Sequence, residues 1–339
     1  MDWQFNILKQ LSLSHGAIRK GVSNMPIEAS IDIKKSHLNF SLKKFYRPTI
    51  NNISDVANQL LWLADPLTFN DPQDCRLGID DNLEIYALDK FVEGSEEFSD
   101  NEKRQIYKAK RRNLTIYHPS VWPILQINNR LEEFYEYFRP LTSKINTFID
   151  DMTSKKYRVG CFVQNYGKPY EYDNLMWAHY AQDFQGFCVE YDIERLFDYE
   201  FEDYVVCDWN SKTGFLNGCI DKNTLKQIIV NGLFPVHYSS KPQIITSGNA
   251  YKIGVDKINK KIREESEYNL LKSLITKHLI WKYEREWRLI ISDDMIKSVG
   301  YKIPFPFVKR IIPGDGASRE LKSILKLIEN RLGLNNNLY

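Results

Sequence analysis

The chain has 339 residues, 43% of them hydrophobic, and its 46 Lys and Arg against 44 Asp and Glu leave a net charge of +2. That length supplies one large domain or two smaller ones, and the apolar share supplies a real core. The even charge balance predicts neither a general nucleic-acid binder nor an acidic disordered chain.

Residues 1–40 read as a weakly patterned leader, with Ile7, Leu8 and Leu11 on one short helix. A strand is expected from Ser41 to Arg47, stopped by Pro48. Ser54 is expected to cap a short helix to Gln59, and Leu60 to Ala64 to form a buried strand. Asp65-Pro66 and the run Phe69-Asn70-Asp71-Pro72-Gln73-Asp74-Cys75 are dense turn chemistry. This run is either a rigid turn or a loop that points Asn70, Asp71 and Asp74 into a cleft. From 84 to 155 the chain is rich in helix formers. Within it, Asn101–Arg112 is strongly basic and reads as a solvated helix face or a patch for an anionic partner. Ile124 to Phe138 carries apolar residues at helical spacing, ended by Pro140, and Leu141 to Met152 forms a further helix.

Arg158 to Val163 reads as a strand, and Gln164 to Asp173 as a polar loop. Asn174 is expected to cap a helix from Leu175 to Gln185 that aligns Trp177, Tyr180, Ala181 and Phe184 on one face. Gly186 would end it as a C-cap glycine, and a strand follows over 187–192. Further strands are expected near Tyr204–Cys207, Phe234–Tyr238 and Val308–Ile312. Helices are expected from about Asn223 to Val230, from Ile253 to His278, and from the Ser318 cap to Gly333. The fold class expected is α+β: a mixed, mainly antiparallel sheet core formed by 41–83 and 156–333, with flanking helices and a helical insertion over 84–155.

The run Lys282-Tyr283-Glu284-Arg285-Glu286-Trp287-Arg288-Leu289-Ile290 begins charged and ends apolar, which marks a strand running into the core. Strand alternation puts Glu284, Glu286 and Arg288 on one face, opposite Trp287 and Leu289. Two carboxylates and a guanidinium leaving the core together are either a structural ion pair or one wall of a cleft. Five cysteines without CxxC spacing and six scattered histidines argue against a structural zinc site and for a reducing cytosol. The first residues lack a basic-then-apolar signal pattern, and no apolar run reaches the roughly 20 residues that cross a membrane, so a cytoplasmic protein is expected.

Four segments in order resemble one bacterial family, known as domain of unknown function 2971. They are Lys44-Phe45-Tyr46-Arg47 with Leu61-Trp62-Leu63 and Phe69–Asp74; Met176–Tyr180 with Gly186–Asp192; Lys277 and Trp281 leading into Tyr283–Arg288; and Val308–Gly314. Gln73 and Pro313 depart from the usual residues of that pattern. The resemblance implies a mixed α+β domain of the sort found in mobile or defence-related bacterial neighbourhoods, and it carries no reaction with it.

The order of the polar residues resembles the logic of the ADP-ribosyltransferase fold, which implies an enzyme that consumes NAD as substrate and needs no metal. In that reading Lys44, Tyr46 and Arg47 hold a pyrophosphate or ribose, and Trp177 and Tyr180 stack nicotinamide. Glu286, with Glu284, stabilises an oxocarbenium-like transition state. Asn70, Asp71, Asp74 and Arg288 complete the ligand-binding set. The partner is then a small nucleotide or a macromolecular target. A binding or sensing module using the same cleft is the alternative. A Mg²⁺-dependent nuclease built on Asp71, Asp74, Glu284 and Glu286 ranks last, because no Lys stands between paired acids in the sequence.

Overall fold

The computed structural model describes Lys34 and residues 41–71, 73–164, 171–200, 204–209, 216–220, 222–296 and 300–334. The expected leader helix near Ile7, Pro72 and most of the loop after Gln164 lie outside these. The chain divides into two compact units. One comprises Met1–Asp74, Lys156–Ser240 and Ile275–Tyr339, and the other Cys75–Lys155 and Lys241–Leu274. The helical unit therefore includes Lys241–Leu274, a stretch that the sequence reading had placed in the sheet core.

The first unit is built on six strands: β1 (Leu42–Tyr46), β2 (Tyr157–Gln164), β3 (Phe187–Tyr191), β4 (Leu233–Pro235), β5 (Glu286–Ser292) and β6 (Val308–Pro313). They lie in the order β6-β3-β1-β2-β5-β4, and every neighbouring pair is antiparallel. The fold is α+β. Alternation along β5 sends Trp287, Leu289 and Ile291 into the main core, where Phe162, Phe187, Val189 and Tyr191 join them. Helices Lys222–Gly232 and Arg319–Arg331 close this face with Leu225, Ile229, Leu321 and Leu325. Each such fully buried side chain contributes about 1.5–3 kcal/mol. The opposite face of the sheet carries a smaller cluster of Phe45, Val163, Met176, Ala181 and Cys188, in which helix Glu171–Tyr180 takes part.

The register of the sheet creates an opening on that second face. β1 pairs with β2 only at Leu42↔Gln164 and Lys43↔Val163, then continues along β3 as far as Tyr46↔Phe187. β2 keeps its pairing with β5 from Glu286↔Val163 to Ser292↔Tyr157. Beyond Lys43, β1 and β2 no longer pair. Ala64, following the short strand Leu60–Trp62, takes up the vacated edge through two 2.9 Å backbone hydrogen bonds with Val159.

Several local expectations are revised. Thr49 caps helix Ile50–Ala57, its side chain accepting from the Asn52 N–H, so the cap falls five residues before Ser54. Pro140 lies inside helix Arg130–Lys156. An interior proline costs about 3 kcal/mol, but the buried stripe Phe134, Leu141, Ile145, Ile149 runs through it and holds the helix. The long helix expected over 253–278 is two, Ser247–Gly254 and Lys260–Leu274, with Asp256 left-handed between them. Thr276–His278 is instead a strand, parallel to His237–Ser239. Gly186 is no αL cap. A Cβ there would lie 2.0 Å from the Tyr46 carbonyl oxygen, so the residue is glycine for close approach.

The second unit packs helices Leu83–Glu93 and Asp100–Arg111 with the first part of Arg130–Lys156 around Leu88, Val92, Ile106 and Phe134. A two-stranded parallel ladder, Gly78–Ile79 with Ile244–Ile245, ties its two chain segments together. Among the described residues no helix is long and apolar enough to cross a membrane.

Candidate functional site

Glu286 opens β5 at the point where the strand meets the sheet opening, and Arg288 follows on the same face. Arg288 is 0% exposed, and its guanidinium grips both oxygens of Glu286, Nε to Oε1 at 2.8 Å and NH2 to Oε2 at 3.0 Å. NH2 also donates to Asp74 Oδ2 at 2.8 Å. Glu284 reaches the cluster by another route. It ends a 3₁₀ turn over Leu279–Glu284, and Arg285, left-handed at φ 47°, turns the chain into β5. The alternation that was expected to align Glu284 with Glu286 thus stops at Glu286. The two carboxylates are united instead by Lys277, from strand Thr276–His278. Its Nζ donates to Glu284 Oε2 and, at 3.0 Å, to Glu286 Oε2, with Asp74 Oδ2 3.6 Å away. Tyr180 OH donates to Glu284 Oε1 at 2.8 Å, and the Glu286 backbone N–H donates to Tyr238 OH at 2.8 Å.

Five charged side chains, none more than 6% exposed, therefore share one pocket of low dielectric. Burying them is tolerable only because each is paired. The cluster sets its two glutamates apart. For Glu286, burial opposes ionisation, but Arg288 and then Lys277 outweigh it and hold the carboxyl well below the usual range. For Glu284, burial and the charge of Glu286 raise the carboxyl, and Lys277 offsets only part of this. Burial would lower Lys277, yet Glu286 and Glu284 keep it firmly protonated. Cys161, beside Glu286, is pushed far up by burial and by that carboxylate, so its thiol is no ready nucleophile.

Both glutamates line a cavity of about 390 Å³ at the sheet opening. Phe45, Trp62, Phe69, Phe162 and Trp281 contribute its apolar walls, and Lys44, Asn70, Asp71, Asp74, Tyr180 and Lys277 line it with polar groups. The volume lies at the lower end of small-ligand pockets, enough for a ring and a sugar. Lys44 spans the gap between β1 and β2, donating to the Cys161 carbonyl at 3.0 Å. Trp281 is fixed by its indole N–H, which donates to Asp71 Oδ2 at 2.8 Å.

Residues 176–289 match the model of a family described as Protein of unknown function (DUF2971). No curated protein and no solved structure matches the chain. The DUF2971 stretch contains Tyr180, Tyr238, Lys277, Glu284, Glu286 and Arg288. The cavity is completed by Lys44, Asn70, Asp71, Asp74 and Cys161 from outside it.

Of the site residues expected from sequence, Glu284, Glu286, Lys44, Asn70, Asp71, Asp74 and Tyr180 meet at the cavity, and Arg288 stands directly behind it. Three do not join them. Tyr46 packs in the main core and shares a 2.8 Å hydrogen bond with Tyr191, so its hydroxyl is engaged there and not at the cavity. Arg47 is exposed past the end of β1, its carbonyl accepting from Asn52 Nδ2. Trp177 packs edge-on against Phe45 and stacks on Phe184, filling the smaller cluster. Sequence reasoning missed Lys277, Cys161 and Tyr238 as site residues. Lys277 was hidden by the expectation of a continuous helix to His278. A short β-rich run, Ile275-Thr276-Lys277-His278, was the available signal.

Proposed function

We propose that the chain is an ADP-ribosyltransferase-like enzyme that breaks the bond between nicotinamide and ribose in NAD. The reading rests on one observation above others: Glu284 and Glu286 flank the Lys277 ammonium at one aromatic-walled cavity, with environments that drive their proton affinities apart. Pairs of carboxyls separated in this way commonly divide acid–base from electrostatic work. Glu286, held ionised, stabilises positive charge growing on the ribosyl carbon. As the C–N bond breaks, its electron pair leaves with nicotinamide. The acceptor forms the new bond to that carbon, and Glu284, the stronger base of the two, takes the acceptor's proton. The aromatic walls offer faces for the nicotinamide ring, and Lys44 and Asp71 offer contacts for ribose hydroxyls. NAD consumption of this kind would act in bacterial defence or toxicity, in the cytoplasm.

The test is nicotinamide release from NAD, followed chromatographically with purified protein, with and without cell lysate. Release is expected from the native chain and from Arg47→Ala, whose side chain lies off the cavity. No release in a lysate that supports a control transferase would refute the assignment.

One feature favours a second reading. Both Glu286 oxygens are already satisfied by Arg288 and Lys277, which suits a binding module that holds a nucleotide without turnover. Thermal stabilisation by NAD or nucleosides with no product formed would support it. The nuclease reading gains the lysine it lacked in sequence, since Lys277 sits among Asp74, Glu284 and Glu286. However, Lys277 and Arg288 occupy the carboxylate oxygens that a Mg²⁺ ion would need. Among the described residues no group of three or more His, Cys, Asp or Glu is placed to hold a metal.

A further inference from the structure

Helix Asp100–Arg111 of the second unit is amphipathic in an unusual sense. Ile106 and Ala109 bury its inner face, and Ser99 and Glu102 close its start in a reciprocal capping box. Its outer stripe is Arg104, Tyr107, Lys108, Arg111 and Arg112, at i, i+3, i+4, i+7 and i+8, all exposed. With Lys103 beside it, the stripe places five cations within ten residues. Among the described residues none of these five forms an ion pair, although Lys110, on the same helix, is paired with Asp89. Glu102 is already engaged by Arg130.

Helix stability does not account for the stripe. Cations near the C-terminus do favour the helix dipole, which suits Lys108 and Arg111. Lys103 and Arg104 are too far from that end to gain by it. The i,i+4 pairs Arg104–Lys108 and Lys108–Arg112 repel one another. Nor is the stripe purely charged. Tyr107 is 46% exposed at its centre, and Lys110 Nζ lies 4.8 Å from its ring centroid. The net charge of +2 conceals all this, because acids elsewhere average it away.

We propose that this stripe docks single-stranded nucleic acid, with Arg104, Lys108, Arg111 and Arg112 on successive phosphates and Tyr107 stacking a base. The stripe from Arg104 to Arg112 rises about 12 Å. The cations supply sequence-independent attraction, and the exposed ring distinguishes a nucleic acid from an acidic protein or an anionic membrane, neither of which offers bases to stack. This docking does not depend on the reaction assigned to the cavity.

The test is fluorescence anisotropy of the full-length protein with a labelled 20-nucleotide single strand of mixed sequence, over a salt series. The native chain should bind with log Kobs falling against log salt at a slope of about −3, as expected for four phosphate contacts at about 0.7 each. Arg104→Ala/Lys108→Ala/Arg111→Ala should bring the slope to about −1. Tyr107→Ala should weaken binding roughly tenfold while leaving the slope unchanged. These residues are solvent-facing, so the variants should keep the native circular dichroism. Absence of binding at low salt, or binding that the triple variant leaves intact, would overturn the proposal. So would equal binding of polyglutamate or anionic vesicles with no effect of Tyr107→Ala, which would reassign the stripe to acidic partners generally.

Discussion

Arg288 shows how a single side chain decides what its neighbours can do. With no exposed surface, it is neutralised by Glu286 and Asp74, and it keeps Glu286 ionised in return. Removing one member of a buried ion pair typically costs 3–5 kcal/mol, because the partner stays buried and uncompensated. Glu286→Gln keeps the shape but loses the charge, so it should destabilise the chain by about 3 kcal/mol at pH 7, read from urea midpoints. The sign with pH follows from linkage. A carboxyl whose folded pKa is depressed stabilises above its unfolded value, near 4.3, and loses that contribution as pH falls towards the folded value. The gap in stability between native and Glu286→Gln should therefore narrow below about pH 4. A gap that stays constant from pH 7 to pH 3 would show that the charge of Glu286 does not contribute. Glu284 should behave oppositely. Its raised pKa makes ionisation costly, so relative to Glu284→Gln the native chain should lose stability as pH rises above about 4.3.

At the level of elements, β5 was readable because its alternation is strong. Trp287, Leu289 and Ile291 had to face the core, which sent Glu286 and Arg288 to the other side. The DUF2971 resemblance held over residues 176–289. What alternation missed was local backbone geometry. The left-handed Arg285 ends the strand pattern before Glu284, and left-handed Gln182, Asp183 and Phe184 coil the chain after Tyr180. Such conformations are uncommon for Arg, Gln and Phe, so periodicity does not announce them. The partnership of Lys277 with Glu284 and Glu286 depends on strand pairing with His237–Ser239, a contact across almost forty residues that periodicity does not register. Two substitutions test this packing. Trp177→Ala, at a half-buried ring, should cost about 2–3 kcal/mol, below the 3–5 typical of a fully buried Trp. NAD binding should survive it. Gly186→Ala should cost about 3 kcal/mol, at the upper end for overpacking, since its methyl would meet the Tyr46 carbonyl. Thermal melts with unchanged midpoints would contradict both.

For the whole molecule, the sequence pattern indicated an α+β chain with a helical insertion but could not show that the helical unit recruits Lys241–Leu274 as well. That recruitment runs through a two-residue parallel ladder, Gly78–Ile79 with Ile244–Ile245, and through helix Ser247–Gly254, whose Tyr251 hydroxyl accepts from Tyr137 at 2.8 Å, contacts that leave no periodic sequence signature. Each unit has its own buried cluster. Chains of this kind commonly depart from two-state unfolding, so the calorimetric enthalpy should exceed the van't Hoff value. Equality of the two would mean that the units melt as one. Under the proposed function, the cavity lined by Glu286 acts on the nicotinamide–ribose bond. The most direct measurement is nicotinamide release from NAD by the native chain and by Glu286→Gln, each first shown to be folded by circular dichroism at the assay temperature. The account predicts release from the native chain and its loss in the folded variant. Equal release from both, or none from the native chain with a competent lysate present, would contradict it.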